Sequence, residues 1–238
     1  MVQVSVVVPV HNEGGNIGPL VEEVACALRG YCNYEVLVVD DHSSDNTAWV
    51  LQELRGRHPE LRVLQLDRQA GQSTALYHGI HQARAPWVVT LDGDGQNDPA
   101  DIPALIAARD AADPQVRLLA GWRTQRQDSS SRRWASRLAN ALRMRLLGDA
   151  TPDTGCGIKL IERATFLRLP YFDHMHRYLP ALVQRAGQRT LSVPVHHRPR
   201  GHGQSKYTNL GRALVGVRDL FGVAWLIARN RPCVVVER

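Results

Sequence analysis

Val4-Ser-Val-Val-Val-Pro-Val10 is an apolar, β-branched run that stops at the polar stretch His11-Asn-Glu-Gly-Gly-Asn16. A short run of this kind reads as a buried strand. Apolar residues then recur at helical spacing, Ile17, Leu20, Val21, Val24 and Leu28, which predicts a helix over 17–29. The cycle repeats. Glu35 to Val39 reads as a strand ending at Asp40-Asp41, and Ser44 to Thr47 offers caps for a helix through Leu54. Leu61 to Leu66, Ser73 to Ala83 and Trp87 to Leu91 continue as strand, helix and strand. Strands alternating with helices predict an α/β fold, a mostly parallel sheet with helices on both faces. Ligands of such sheets bind beyond the carboxyl ends of the strands, where the polar clusters 11–16, 40–47 and 92–98 all fall.

The pattern changes after Gly121. Ser129 to Leu147 reads as a helix with Trp134, Leu138, Ala141 and Leu142 on one side and arginines elsewhere. Residues 190–195 read as another strand, 198–206 as a basic loop, and Ala213 to Ala228 as a largely apolar helix, short for a bilayer span. The expected organisation is a main α/β domain over 1–210 and a basic amphipathic appendage over 211–238, suited to a membrane surface or a partner. Charge follows the same division. Residues 1–120 carry 8 Arg and 16 Asp or Glu, and residues 121–238 carry 21 Lys or Arg and 7 acids, so net charge turns from −8 to +14. An acidic front suits a cation site, and a basic back suits phosphate or an anionic membrane surface. Nucleic acid is not expected, because aromatics do not interleave with the basic residues. Cys26, Cys32, Cys156 and Cys233 lack metal-ligand spacing and read as reduced thiols, and the first strand follows no signal-like segment, so a cytoplasmic location is expected.

Asp92-Gly-Asp94 puts two carboxylates on one side of an extended chain. Such a pair suits Mg²⁺ or Mn²⁺, which take oxygen ligands and bridge diphosphate oxygens. Asp92-Gly-Asp-Gly95 alone is ordinary turn chemistry; its place after an apolar strand, with Gln96 and Asp98 alongside, favours the site. Asp40 and Asp41 repel each other unless a donor or cation relieves them. Asp45 or Ser44 serves equally well as a helix cap. No Gly-x-Gly-x-x-Gly turn follows the first strand, which argues against a dinucleotide oxidoreductase.

Pro9-x-His-Asn-Glu13, Asp40-Asp41-x-Ser-x-Asp-x-Thr47, Asp92-Gly-Asp-Gly-Gln96 with Asp98-Pro99, and Arg200-x-x-Gly203-x-Ser-Lys206 occur in that order. The sequence resembles the inverting family 2 glycosyltransferases of GT-A fold, and within them the polyprenyl-phosphate (dolichol-phosphate-mannose-synthase-like) group, over roughly residues 3 to 210. The resemblance implies that Pro9, Asn12, Glu13 and Asp41 contact the nucleotide, with Asp92 near it, and that Asp92, Asp94 and Gln96 surround the metal. It places Arg123 by the donor phosphates, and Arg200, Ser205 and Lys206 on phosphate of the donor or the lipid acceptor. Arg126 and Arg133 extend a basic approach suited to that acceptor. Gln69 stands where the family usually carries Asn, in Arg68-Gln-Ala-Gly71.

The implied reaction is a single in-line displacement at the anomeric carbon, from GDP-mannose or a UDP-hexose to a polyprenyl phosphate. Catalytic roles fall to Asp94, Arg123 and Asp153. A sugar hydroxyl acceptor would need a general base, for which Asp153 is the candidate. A phosphate acceptor, whose second pKa is about 6, needs positioning instead. The enzyme is expected to sit peripherally on the cytoplasmic face of a membrane, or with an integral membrane partner. The alternatives are transfer to a saccharide or lipopolysaccharide hydroxyl, and a non-catalytic sugar-nucleotide-binding subunit.

Overall fold

The computed structural model describes residues 1–124, 143–199 and 209–231, with side chains from residue 216 onward in the last stretch. Seven strands form one sheet: β1 (Val4–Val10), β2 (Tyr34–Asp40), β3 (Leu61–Gln65), β4 (Trp87–Thr90), β5 (Val116–Arg123), β6 (Lys159–Glu162) and β7 (Arg189–Val195). Their spatial order is β3-β2-β1-β4-β6-β5-β7. β1 pairs in parallel with β2 and β4, β2 with β3, and β5 with β7, while β6 runs antiparallel to both of its neighbours. The sheet is therefore mostly parallel, as the alternation of elements predicted. β5 and β6 had no counterpart in the sequence reading.

Alternate residues of each strand face opposite layers. Val6, Val8, Val36, Val38, Leu119 and Leu160 belong to one buried cluster, with Ile17 and Leu20 of α1 (Gly14–Leu28), Leu51 of α2 (Thr47–Arg57) and Leu105 of α4 (Ile102–Ala111). Val7, Leu37, Val39, Leu118 and Ile161 belong to the other, with Leu76 and Ile80 of α3 (Gln72–Gln82) and Leu182 of α5 (Leu179–Arg185). α3 lies close against the sheet at Gly79, where a Cβ would stand 2.5 Å from Val7 Cγ1. Any side chain there would lever the helix off β1.

A last helix, α6 (Asn209–Ala228), begins earlier than expected and carries Leu220 and Val223 into the second cluster. The expected division between residues 210 and 211 falls in its first turn. Of the helix expected over 129–147, residues 143–147 are described and are helical. Among the described residues no helix is long and apolar enough to cross a membrane.

Pro9 lies in the central strand without cost to the sheet. The β1–β4 register ends at Val7 opposite Thr90, so Pro9 stands beyond it. The carboxyl ends of β1, β2, β4 and β5 open on one rim. Because β6 is reversed, its first residue, Lys159, arrives at that rim too, opposite Thr90.

Candidate active site

The loops after β1 and β2 are interlocked. Asn12 adopts a positive φ of 56°, a conformation Asn tolerates better than most residues. Its Oδ1 accepts from the Ser44 N–H at 2.7 Å and the Asp45 N–H at 3.3 Å. Asp45 Oδ1 in turn accepts from the Thr47 N–H at 2.9 Å, so this carboxylate fixes the turn that leads into α2, one residue ahead of the N-cap Asn46. The side chain of Glu13 accepts from the Asn16 amide at 2.6 Å. The two adjacent aspartates are relieved by backbone donors. Asp40 Oδ1 accepts from the Ser43 N–H at 3.0 Å, and Asp41 accepts from the Ala70 N–H at 2.6 Å and the Gly71 N–H at 2.9 Å, one on each oxygen. Asp41 therefore fastens the loop before α3. Gly71, at φ 88°, permits the turn that presents both amides.

α3 starts at this fastened loop and carries three side-chain contacts in a row. Gln72 Nε2 donates to Asp92 Oδ1 at 2.7 Å, Ser73 Oγ pairs with His176 Nδ1 at 2.7 Å, and Thr74 Oγ1 with Tyr171 Oη at 2.7 Å. Asp92 is further fixed by its own N–H, which donates to Asn97 Oδ1 at 3.1 Å. Its other oxygen occupies space that only glycine leaves free: a Cβ on Gly157 would stand 2.1 Å from Asp92 Oδ2. Asp94 Oδ1 accepts from the Gln96 N–H at 3.1 Å, across a turn in which Gly95 has φ 73°. Burial raises the Asp92 pKa, and the Asp94 carboxylate beside it raises it further. A divalent cation between two such carboxylates would relieve their mutual repulsion.

Arg123, at the end of β5, makes a two-pronged pair with Asp153: Nε to Oδ2 at 2.7 Å and Nη2 to Oδ1 at 2.9 Å. Burial disfavours the Arg123 charge, but the Asp153 pair outweighs this and its pKa rises. The loop carrying Asp153 is braced from below by Arg143, which donates to the Thr151 carbonyl and Thr154 Oγ1 and pairs with Asp149 at 3.2 Å.

Between these groups lies a cavity of about 220 Å³, lined by Gln72, Thr90, Asp92, Lys159, His176 and Arg177 among others. Lys159 is buried, its ammonium donates to the Cys156 carbonyl, and burial lowers its pKa. Burial also holds the His176 imidazole well below its ordinary pKa, with Arg177 and Lys159 adding to the effect.

Around this rim stand Pro9, Asn12, Glu13, Asp41, Asp92, Asp94, Gln96, Arg123 and Asp153. Arg126, Arg133, Arg200, Ser205 and Lys206 lie outside the described residues. Sequence reasoning missed Gln72 and Lys159. The first sits in a segment whose family likeness was visible; the second needed the antiparallel pairing of β6. His196 and His197 do not converge: His196 pairs with Asp101 at 2.7 Å, and His197 bridges Asn97. Among the described residues no group of three or more His, Cys, Asp or Glu is set to hold a metal. Asp92 and Asp94 can supply the one or two carboxylates that Mg²⁺ takes when substrate phosphates and water complete its shell.

A mostly parallel α/β sheet with an Asp-x-Asp rim beyond its strand ends has the layout of a nucleotide-sugar transferase. The sequence profile of Glycosyl transferase family 2 matches residues 5–169, and the chain belongs to that family. It is 36% identical over 236 residues to a dodecaprenyl-phosphate galacturonate synthase of Rhizobium johnstonii, covering 97% of this chain and 69% of that one. It is 38% identical over 208 residues to an undecaprenyl-phosphate 4-deoxy-4-formamido-L-arabinose transferase of Edwardsiella ictaluri, covering 86% and 62% respectively. The chain thus spans about two thirds of the length of these curated relatives. Among solved structures it is similar to the mannosyltransferase PcManGT from Pyrobaculum calidifontis in complex with GDP-Man and Mn²⁺, with a TM-score of 0.69 at 20% identity, covering 98% of this chain and 66% of that one. Glucosyl-3-phosphoglycerate synthase from Mycobacterium tuberculosis with Mg²⁺ and UDP gives a TM-score of 0.68 at 18% identity, covering 96% and 79%. Those two likenesses establish the GT-A fold.

Proposed function

We propose that this glycosyltransferase moves a monosaccharide from a nucleotide sugar to a polyprenyl phosphate, with inversion, using Mg²⁺ or Mn²⁺. The observation that carries the acceptor assignment is the state of Asp153. Both of its oxygens are taken by Arg123, so it is poorly placed to receive a proton from a sugar hydroxyl. A phosphate acceptor is already ionised near neutral pH and needs no such base. The names of the two curated relatives, both polyprenyl-phosphate sugar transferases, point to the same acceptor.

Asp92 and Asp94 would hold the divalent cation, which when bound offsets the charge gathering on the departing diphosphate. Gln72 orients Asp92, and Gly157 leaves room for the carboxylate to turn inward. The loops fixed by Asn12, Asp41 and Asp45 form the nucleotide side. Arg123, held by Asp153, presents a fixed positive charge to phosphate.

The lipid tail requires a membrane nearby. α6 exposes Val217 (51%), Phe221 (63%) and Trp225 (60%), spaced four apart along one face. The Arg229 guanidinium lies 5.7 Å from the centre of the Trp225 ring. Apolar and aromatic residues with flanking arginine suit a helix lying in a membrane interface, so the protein rests peripherally on the cytoplasmic leaflet.

The test is transfer of radiolabelled sugar from GDP-mannose, UDP-glucose and UDP-galacturonate to undecaprenyl phosphate, with Mn²⁺ or Mg²⁺ and with EDTA. Label is expected in the lipid only with metal and only when Asp94 is intact. Label in a saccharide instead, lost on Asp153→Asn while nucleotide binding persists, would overturn the acceptor assignment.

A further inference from the structure

Among the described residues, half-buried Arg123 and buried Arg143 and Lys159 are cations beside the candidate site, and one differs from the others. Arg123 is paired with Asp153 at 2.7 Å and Arg143 with Asp149 at 3.2 Å. Lys159 is 3% exposed, and its one acceptor among the described residues is the neutral Cys156 carbonyl. No described carboxylate comes within ion-pair distance of it. An ammonium carries three donors, and a buried cation is tolerated when an anion or several acceptors surround it. Two of its hydrogens have no described partner.

Its position is set by the sheet. Lys159 lies directly opposite Thr90 on the antiparallel β4–β6 pair, so the two side chains share a face with Asp92, two residues beyond Thr90. All three line the cavity, whose 220 Å³ is far more than the roughly 30 Å³ share of one water. Arg177 is a second cation on its wall, while Asp92 is the one carboxylate that lines it.

We propose that this cavity is a substrate subsite for an anionic oxygen group, with Lys159 as the residue that binds it. The inference rests on the glycosyltransferase reading above and adds to it a recognised chemistry. Apart from the donor diphosphate, which the UDP control reports on, two substrate groups carry that chemistry: the carboxylate of a uronic acid in the donor, or the phosphate of the lipid acceptor. A mere structural lysine would have no reason to face a polar cavity with two donors unspent.

The experiment uses the full chain with Mn²⁺. Calorimetry measures UDP, UDP-galacturonate and UDP-galactose binding to the wild type, Lys159→Met and Lys159→Arg, and kinetics measures the KM for undecaprenyl phosphate. UDP affinity is expected to stay within about twofold in all three proteins. If the sugar carboxylate is the ligand, the wild type prefers UDP-galacturonate to UDP-galactose by about tenfold and Lys159→Met loses that preference. If the acceptor phosphate is the ligand, the two donors bind alike and Lys159→Met raises the lipid KM about tenfold. In either case Lys159→Arg keeps most of the wild-type value. Unchanged donor preference and unchanged lipid KM in Lys159→Met would overturn the proposal, as would a parallel loss of UDP affinity, which would make Lys159 a support for Asp92. Should Lys159→Met fail to fold, the wild type still decides. No preference for UDP-galacturonate over UDP-galactose, and no competition of undecaprenyl phosphate over undecaprenol, overturns it. Absence of any affinity for UDP or GDP in the wild type is a different failure, that of the glycosyltransferase reading itself.

Discussion

Asp92 and Asp153 flank the same site, and their surroundings are opposite. Asp153 meets a guanidinium on both oxygens and sits 4% exposed in a braced loop. Asp92 meets a neutral amide, has Asp94 two residues away, and is pushed toward the protonated form. One carboxylate is electrostatically complete before any ligand arrives, so its work is to hold Arg123. The other is incomplete, and a cation would lower its free energy. The distinction separates an architectural charge pair from a binding one, although either motif looks equally functional as a string of letters.

The comparison breaks most visibly on the Asp153 side. Arg123→Ala removes the guanidinium that pairs with buried Asp153 and is expected to destabilise the fold by about 3–5 kcal/mol, measured by urea denaturation. Adding Asp153→Asn should recover part of that loss; no recovery would mean the pair is not the source. On the other side, Asp94→Ala should lower kcat by roughly 10²–10³-fold with the melting temperature hardly changed. Loss of thermal stability comparable to that of Arg123→Ala would show that the two sides are not different in kind. Gly157→Ala forces Asp92 Oδ2 out of its seat and should reduce turnover by about 10–100-fold, since small misplacements of this sort are costly. Nucleotide binding without metal should survive it. Gln72→Ala removes the amide that aims Asp92, and about a tenfold weaker Mn²⁺ activation is expected, with Gln72→Asn not rescuing because its amide is too short.

The smallest effect concerns His176. Its folded pKa lies well below 6.5, so between that value and about 6.5 the unfolded chain binds a proton that the folded chain does not. Stability therefore rises with pH through this window and falls as the solution is acidified across it. The slope contributed is at most one proton, and His176→Gln should remove it. An unchanged pH profile in that variant would place the titrating group elsewhere.

The front of the molecule was legible because each strand announces itself. β1, β2 and β4 are β-branched runs that stop at clusters of Asp, Asn and Ser, and a parallel sheet puts every such stop on one rim. β6 gives no such signal. It is four residues long, begins with Lys and ends with Glu, and only its register against Thr90 reveals which way Lys159 points. The members of the Arg123–Asp153 pair were each singled out from the sequence, but their union was not, since 30 residues separate them and periodicity is silent over that distance. Asp41 was recognised as strained by its neighbour. That the relief comes from two backbone amides of the loop before α3 follows from folding, not from spacing.

The reversal of β6 has an evolutionary consequence. Six strands point their carboxyl ends toward that rim, whereas β6 brings its amino end, so the chain reaches the site there through the residues that precede the strand. Residues 149–158 are held there by their own contacts, Asp149 to Arg143, Asp153 to Arg123 and Gly157 against Asp92, and not by the register of β1, β2 and β4. A lineage can therefore vary this side of the site only at positions of that stretch that bear no such contact, while the strands that frame the Asp41 and Asp92 loops stay as they are.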